Sequence, residues 1–465
     1  MRRARWLVFG TALVVVLTSC GGGKKVGTAA TSAPSAAAGG ATTTSGPNAK
    51  CSTTLLTGTE IGVTPKTITV TVVADTGSTI RPGLFQGSVD GVKAWAKYRN
   101  ANGGLACRQV VVKSADSKLS PDDAKNSITA ACGNSFALVG TTALFLNDMT
   151  AAQQCKDKRG AASGLPDLAA LQTNHQEQCS PVSFAVLPTG GSCPYSGSGP
   201  RTFPVATTAF DYYFKKYGAN TLHGVWVIPA DLPSTIAASM PGFRASQQLG
   251  LKLDAEFGGS GLSQQPAYTP FVQAIKQHKS TYARSGLDYK GTVFLRKEAA
   301  VQGVNTVKVW DCSVQCYDKR LIGEGGNAVE GQYVWSNVLP FEDKGHNATL
   351  DSLLQYDPNA DGFGATSFVA GELFAQAVNN IVTNDGPNGL TRKALVTALN
   401  GIHDFTAGGF LPKTDIGGRR GSVCLVGMQV RGGKFVRIDP TTPGQFDCSG
   451  KAYMITLDPQ NAFKG

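Results

Sequence analysis

The sequence predicts an α/β protein of two lobes, each organised around a parallel central sheet. Three observations predict it. From Thr67 onward, short β-branched runs alternate with amphipathic segments of helical period, the pattern of strand, helix, strand crossovers. The chain has 465 residues, and the 415 that remain after the first 50 are more than one hydrophobic core usually serves. A stretch rich in Pro, Gly and Ser, residues 179–204, interrupts the alternation and separates two such runs.

In the first run, residues 68–73 form a strand that ends in the loop Ala74-Asp75-Thr76-Gly77-Ser78-Thr79. Pro82 opens a helix whose apolar residues Phe85, Val89, Val92 and Ala96 recur at helical spacing, and Asn102-Gly103-Gly104 stops it. A strand at 110–112 follows. Ser120 and Pro121 then supply the N-cap and first position of a helix that buries Ala124, Ile128 and Ala131. Strands are expected at 136–140 and 162–166. The second run gives helices near 206–216, 233–249 and 269–278, with strands at 224–228, 251–257, 292–295 and 306–310, a second parallel sheet. Residues 331–339 form a strand leading out of it. A long helix over 363–382 and a hairpin of 422–428 and 434–438, turning at Arg431-Gly432-Gly433, complete the pattern.

The N-terminus reads as an export signal. Arg2, Arg3 and Arg5 precede an apolar run over 6–17 that is too short to span a bilayer, and Leu17-Thr18-Ser19-Cys20 follows. Residues 20–50, dominated by Gly, Ala, Ser and Thr, have little to bury and form a tether. The formal charge of +11 falls to +8 without the three signal arginines, and no basic cluster is interleaved with aromatics, so no nucleic-acid partner is expected.

Eleven cysteines become ten when Cys20 is set aside, an even number suited to disulfides in an oxidising compartment. Proximity in sequence suggests Cys107 with Cys132, Cys312 with Cys316 and Cys424 with Cys448, leaving Cys51, Cys155, Cys179 and Cys193 to pair among themselves. Cys312 and Cys316 also have ligand-like spacing, but no second close pair completes a set of four, so no metal and no cofactor are expected. Catalytic signatures are missing as well. No Gly-x-Ser-x-Gly elbow, HExxH or Walker-type loop occurs, and no catalytic residue is nominated.

In parallel sheets, ligands sit outside the carboxyl ends of the strands. That rule nominates Thr76, Gly77, Ser78 and Thr79 after the first strand, Thr141 and Thr142 after the third, and Asp167 and Leu168 after the strand at 162–166. In the second run it nominates Asp231 and Leu232, Asp311, and Trp335. Hydroxyls and amides there suit an acceptor such as a carboxylate, an acid suits an ammonium, and an aromatic covers an apolar face. Each residue also has a structural reading, as a helix cap or as core.

The strand over 68–73, the Thr76-Gly77 loop, the long helix and Asn100-Ala101-Asn102-Gly103-Gly104 resemble the first lobe of the periplasmic leucine/isoleucine/valine-binding proteins of ABC importers. Gly331-Gln332-Tyr333-Val334, the helix from 363 and the final hairpin follow in that family's order. The resemblance implies the type 1 periplasmic binding protein fold, two Rossmann-like lobes joined by a three-segment hinge. Lobe 1 is then 67–187 and 340–408, lobe 2 is 200–339 and 409–440, and 441–465 is a C-terminal tail. Residues 1–19 are the signal peptide and 20–66 the anchor and tether. The pair Cys107 and Cys132 also resembles a disulfide of that family, and the residues before Cys20 resemble a lipobox, which implies lipidation of Cys20. The implied function is extracytoplasmic capture of a small amino acid, amide or related acid and its delivery to the importer's permease subunits. The protein is expected to act as a monomer, held to the membrane by its lipid. At the fourth strand the segment Leu165-Pro166-Asp167-Leu168-Ala169-Ala170 lacks the hydroxyl that amino-acid binders of the family present. A sensory receptor of the same fold is the alternative role, and a secreted hydrolase the one after it.

Overall fold

The computed structural model describes residues 54–79, 81–229, 233–259 and 263–458. The signal segment, Cys20, Cys51 and the nominated pair Asp231 and Leu232 lie outside them.

The β-branched run Thr67–Ala74 forms β1, buried along almost its whole length, as a central strand must be. Helix α1 (Gln86–Ala101) crosses back to β2 (Gln109–Asp116), and α2 (Pro121–Cys132) leads to β3 (Ala137–Val139). Ser120 caps α2, its Oγ accepting from Asp123 N, with Pro121 in the first turn. The short helix α3 (Thr150–Gln153) precedes β4 (Asp167–Ala169), and α4 (His175–Gln178) precedes β5 (Ser183–Ala185). The strand expected at 162–166 is displaced to β4, because Gly164 turns the chain at φ 76° and Pro166 offers no N–H to the ladder. All four pairings are parallel, in the order β2-β1-β3-β4-β5.

After β6 (Arg201–Ala206), the second body runs through α5 (Thr208–Tyr217), β7 (His223–Pro229), α6 (Pro233–Gln248), β8 (Lys252–Gly259), α7 (Thr269–His278), β9 (Tyr282–Ser285), α8 (Tyr289–Val301) and β10 (Val309–Ser313). Helix α9 (Lys319–Gly325) and β11 (Gln332–Ser336) follow. Residues 292–295, expected as a strand, lie instead within α8. The Asp288 carboxylate caps that helix by accepting from Gly291 N at 2.8 Å, and Thr292, Val293, Leu295 and Ala299 then fall on its buried side. The strand is β9, ten residues earlier.

From β11 the chain returns to the first body as α10 (Ala348–Tyr356), α11 (Gly362–Asp385) and α12 (Arg392–Asn400). Leu353, Phe368, Phe374 and Leu399 of these helices join Val70, Trp95 and Phe136 in one core. The chain then passes back to add the antiparallel hairpin β12 (Val426–Arg431) and β13 (Lys434–Asp439) beside β11. The second sheet is therefore β13-β12-β11-β10-β9-β7-β8, parallel from β11 to β8. Three passages join the lobes: β5 to β6, β11 to α10, and α12 to β12.

Segments at both ends of the described residues are held more closely than expected. Residues 54–66, assigned to the tether, lie on lobe 1: Arg108, itself buried, donates to the carbonyls of Thr57, Thr64 and Pro387, and Thr59 Oγ1 donates to Leu390 O. The expected tail over 441–465 contains β14 (Ala452–Leu457), paired antiparallel with β6 along its full length.

The disulfides between described residues are Cys132–Cys155, Cys179–Cys193, Cys312–Cys316 and Cys424–Cys448. Cys107 is not joined to Cys132. It is bonded to a partner outside the described residues, while the ends of α2 and α3 lie side by side and bring the Cα atoms of Cys132 and Cys155 to 5.7 Å. Arg392 locks this corner from beneath, donating to the carbonyls of Cys132, Ser135 and Lys156.

Helices α1 and α11 cross closely because glycine faces them. A Cβ on Gly91 meets Gly364 O at 2.2 Å, and one on Gly371 meets the Trp95 ring at 2.3 Å. Gly91→Val is therefore expected to lower unfolding stability by about 2 kcal/mol or more, read as a lower denaturant midpoint at unchanged slope.

Candidate functional site

A cavity of about 280 Å³ opens between the lobes, at the carboxyl ends of both sheets. From lobe 1 it is lined by Arg81, Leu84 and Phe85, by Leu144, Leu171 and Thr173, and by Phe363 at the start of α11. Lobe 2 contributes Trp226 on β7, Ala238, Ser239 and Gly242 on α6, Arg284 on β9, Gly286, Leu287 and Asp288 before α8, and Ser313, Val314 and Gln315 after β10. Phe85 and Phe363 meet edge to face at 4.7 Å, which fixes the apolar floor on the lobe 1 side.

The polar wall belongs to lobe 2. Arg284 donates through Nη1 to Asp311 and through Nη2 to Ser313 Oγ at 2.7 Å, and its guanidinium lies 4.9 Å from the centroid of the Trp226 ring. Asp311 is buried, and its other donors are the hydroxyls of Tyr213 at 2.8 Å and Tyr282 at 2.7 Å. Trp335 Nε1 in turn donates to the Tyr213 oxygen at 2.8 Å. Burial opposes the Arg284 charge, but the Asp311 carboxylate outweighs it, and the guanidinium titrates above its ordinary value. Both tyrosine hydroxyls are pushed well up by burial and by the same carboxylate.

Beside the cavity, ion pairs join the two lobes. Arg81 Nε of lobe 1 lies 3.6 Å from Asp288 of lobe 2, and Arg320 of lobe 2 lies 3.3 Å from Asp361 of lobe 1. Arg81 also donates to Ser263 O across the same gap. Both carboxylates double as helix caps, Asp288 for α8 and Asp361 for α11, where Gly364 N donates at 2.7 Å. Burial pushes the Asp361 carboxyl up to about 6.

The nominated residues sit just behind this wall. Thr76 and Gly77 hold the Asp116 carboxylate through their N–H groups, Ser78 Oγ accepts from Arg81 N, and Thr79 is exposed; the loop delivers Arg81, Leu84 and Phe85 to the cavity instead. Thr141 and Thr142 are fully buried, and Leu144 takes the lining position. Asp167 is buried between the hydroxyls of Thr141 and Ser183, each at 2.6 Å, and Leu168 is core. Asp311 and Trp335 stand one layer behind Arg284. The sequence reading missed Arg284 and Asp288 because it placed the strand ten residues late. The signal was Tyr282-Ala283-Arg284-Ser285-Gly286 followed by the cap Asp288.

Two expectations follow. Asp311→Asn leaves the partly buried Arg284 without its counter-charge and is expected to cost about 2 kcal/mol in chemical denaturation. Burial pushes the Asp167 carboxyl up to about 6 against the pull of Ser183 and Thr141, and burial raises its neighbour Glu177 well above the usual range. A carboxyl raised on folding binds its proton more tightly in the folded state, so stability rises as pH falls from about 8 to about 5. Asp167→Asn is expected to make that slope shallower in urea titrations across the window, and an unchanged slope would mean that Asp167 is not the group responsible.

A family model described as periplasmic binding protein matches residues 67–434. No curated protein matches the chain. Among solved structures, an ABC transporter substrate binding protein from Aeropyrum pernix aligns with TM-score 0.64 at 14% identity, over 82% of this chain and 96% of that one. The leucine binding protein LivK from Thermotoga maritima aligns with TM-score 0.60 at 14% identity, over 83% and 99%. A fatty acid ABC transporter substrate-binding protein from Thermomonospora curvata aligns with TM-score 0.62 at 14% identity, over 86% and 95%. The family match runs through both lobes and all three passages between them, so the chain belongs to the periplasmic binding proteins and has the type 1 fold that it shares with the leucine binding protein.

Proposed function

We propose that the chain captures a small organic molecule of the amino acid, amide or acid kind between its lobes, outside the cytoplasmic membrane, and delivers it to the permease subunits of an ABC importer. The observation that carries this reading is the cavity itself, walled by side chains of both lobes at the carboxyl ends of two parallel sheets. Capture asks only for complementary walls and a hinge, and three peptide passages supply the hinge. The protein acts as a monomer, lipidated at Cys20, and the Gly, Ala and Thr-rich segment after it lets the binding body reach the permease. Relatives named for leucine and for a fatty acid share the fold, which supports capture and leaves the ligand to be argued from the cavity wall.

A thermal-shift screen of the full chain over amino acids, amides and carboxylic acids tests the reading. At about a hundredfold excess over Kd, linkage contributes about 3 kcal/mol, which raises the melting temperature by several degrees. If nothing in such a set stabilises the protein, capture is wrong. Small-angle scattering of the Arg320→Ala variant gives a second check. Arg320 is half exposed and its ion pair to Asp361 contributes at most about 1 kcal/mol, so the variant is expected to bind up to about fivefold more weakly and to show larger dimensions without ligand.

A further inference from the structure

Resting on that capture reading, we propose that the ligand is a monocarboxylic acid with an apolar body and no ammonium group, its carboxylate seated on the guanidinium of Arg284. The head-group site is already built. A guanidinium has five N–H donors, and the two bonds to Asp311 and Ser313 Oγ commit two of them. The Arg284 side chain retains 19% exposure at the cavity wall, so the remaining donors are offered to the contents of the cavity. The fork cannot swing away. Asp311 holds it on one side, Trp226 lies against it on the other, and the tyrosine hydroxyls and Trp335 fix Asp311 in turn. A rigid planar fork in a wall of low polarity matches a carboxylate in shape and charge.

The same wall disfavours an ammonium. Among the described lining residues Asp288 is the one carboxylate, and both of its oxygens are engaged, Oδ1 by Gly291 N and Oδ2 by Arg81 across the cleft. An α-ammonium group has to compete with Arg81 for Asp288, or take only neutral acceptors such as Thr173, Ser239 and Gln315 while near two guanidinium groups, and neutral acceptors compensate a desolvated cation poorly. Around the head group the cavity is apolar, with Phe85, Leu144, Leu171, Leu287 and Phe363 facing Trp226. A volume of about 280 Å³ suits one ring or one short branched chain.

Matched probes test this on the full chain by calorimetry, without reliance on any variant: hydrocinnamate against hydrocinnamamide and L-phenylalanine, and isocaproate against isocaproamide and L-leucine. The acid of at least one set is expected to bind about tenfold or more tightly than its amide and its amino acid. Arg284→Lys, which keeps a counter-charge for Asp311, is expected to weaken the acid by about tenfold while leaving the amide within about threefold. An amino acid or amide that equals or exceeds its acid overturns the proposed class and leaves capture standing, as does a stabilising hit in the wider screen that carries no carboxylate or carries an ammonium. An unchanged acid affinity in Arg284→Lys overturns the assignment to Arg284. If neither these sets nor the wider screen yields any binder, the capture reading itself fails and this proposal with it.

Discussion

The contact between the Asp311 carboxylate and the Arg284 guanidinium organises lobe 2. Neither charge is tolerable alone in that interior, because each loses its hydration when the sheet closes over it. Pairing them leaves lone pairs on Asp311, and those are met by Tyr213 from α5 and Tyr282 from β9, while Trp335 from β11 completes the chain through Tyr213. One carboxylate on β10 thereby fixes a helix and two flanking strands in register. Trp335 is also the second-last residue of β11, immediately before the chain leaves for lobe 1. The cavity wall and one of the three passages are therefore joined through a single set of mutually polarising hydrogen bonds, buried behind Arg284 and part-buried at it.

Lobe 1 solves the same problem with carboxylates turned inward. Asp75, at the end of β1, accepts from Ser117 Oγ, Leu119 N and Leu144 N, tying together the loops after β1, β2 and β3. Asp167 does the equivalent work at the start of β4, between Thr141 and Ser183. Polar residues at strand ends are thus consumed by their own loops, because buried backbone N–H groups there have no ladder partner. The side chains that reach the cavity come from positions further along, at Arg81, Leu144 and Leu171, or from the next helix at Phe85.

This explains what was legible from the residues and what was not. The order β1-α1-β2-α2-β3 of lobe 1 was readable, since β1 is β-branched from Thr67 to Val73 and α2 carries its cap and proline in plain order, whereas the short helices α3 and α4, the strand β5 and the helices α10 and α12 were not. The edge of the sheets at which the cavity opens was readable too, because it follows from parallel topology alone. Individual residues were not, because sequence does not reveal whether a strand-end hydroxyl faces a loop amide or the cleft. Thr292-Val293-Phe294-Leu295 misled for a related reason: β-branched residues favour strands only weakly, and the Asp288 cap with burial of one helix face prevailed. The pairing of Cys132 with Cys155 depended on two helix ends that only the folded lobe brings together.

The ion pairs across the cleft follow from the same economy of partners. Asp288 and Asp361 each hold a helix N-terminus within their own lobe, through Gly291 N and Gly364 N, and each meets an arginine of the other lobe. On the capture reading, if the lobes part neither carboxylate is stripped of all its donors, and Arg320 retains Asp318, which it contacts through two of its nitrogens. Opening therefore leaves no isolated buried charge on these acids. These two pairs thus add little to the difference between open and closed states, and a small difference is what allows a ligand's own contacts to decide the position of a hinge.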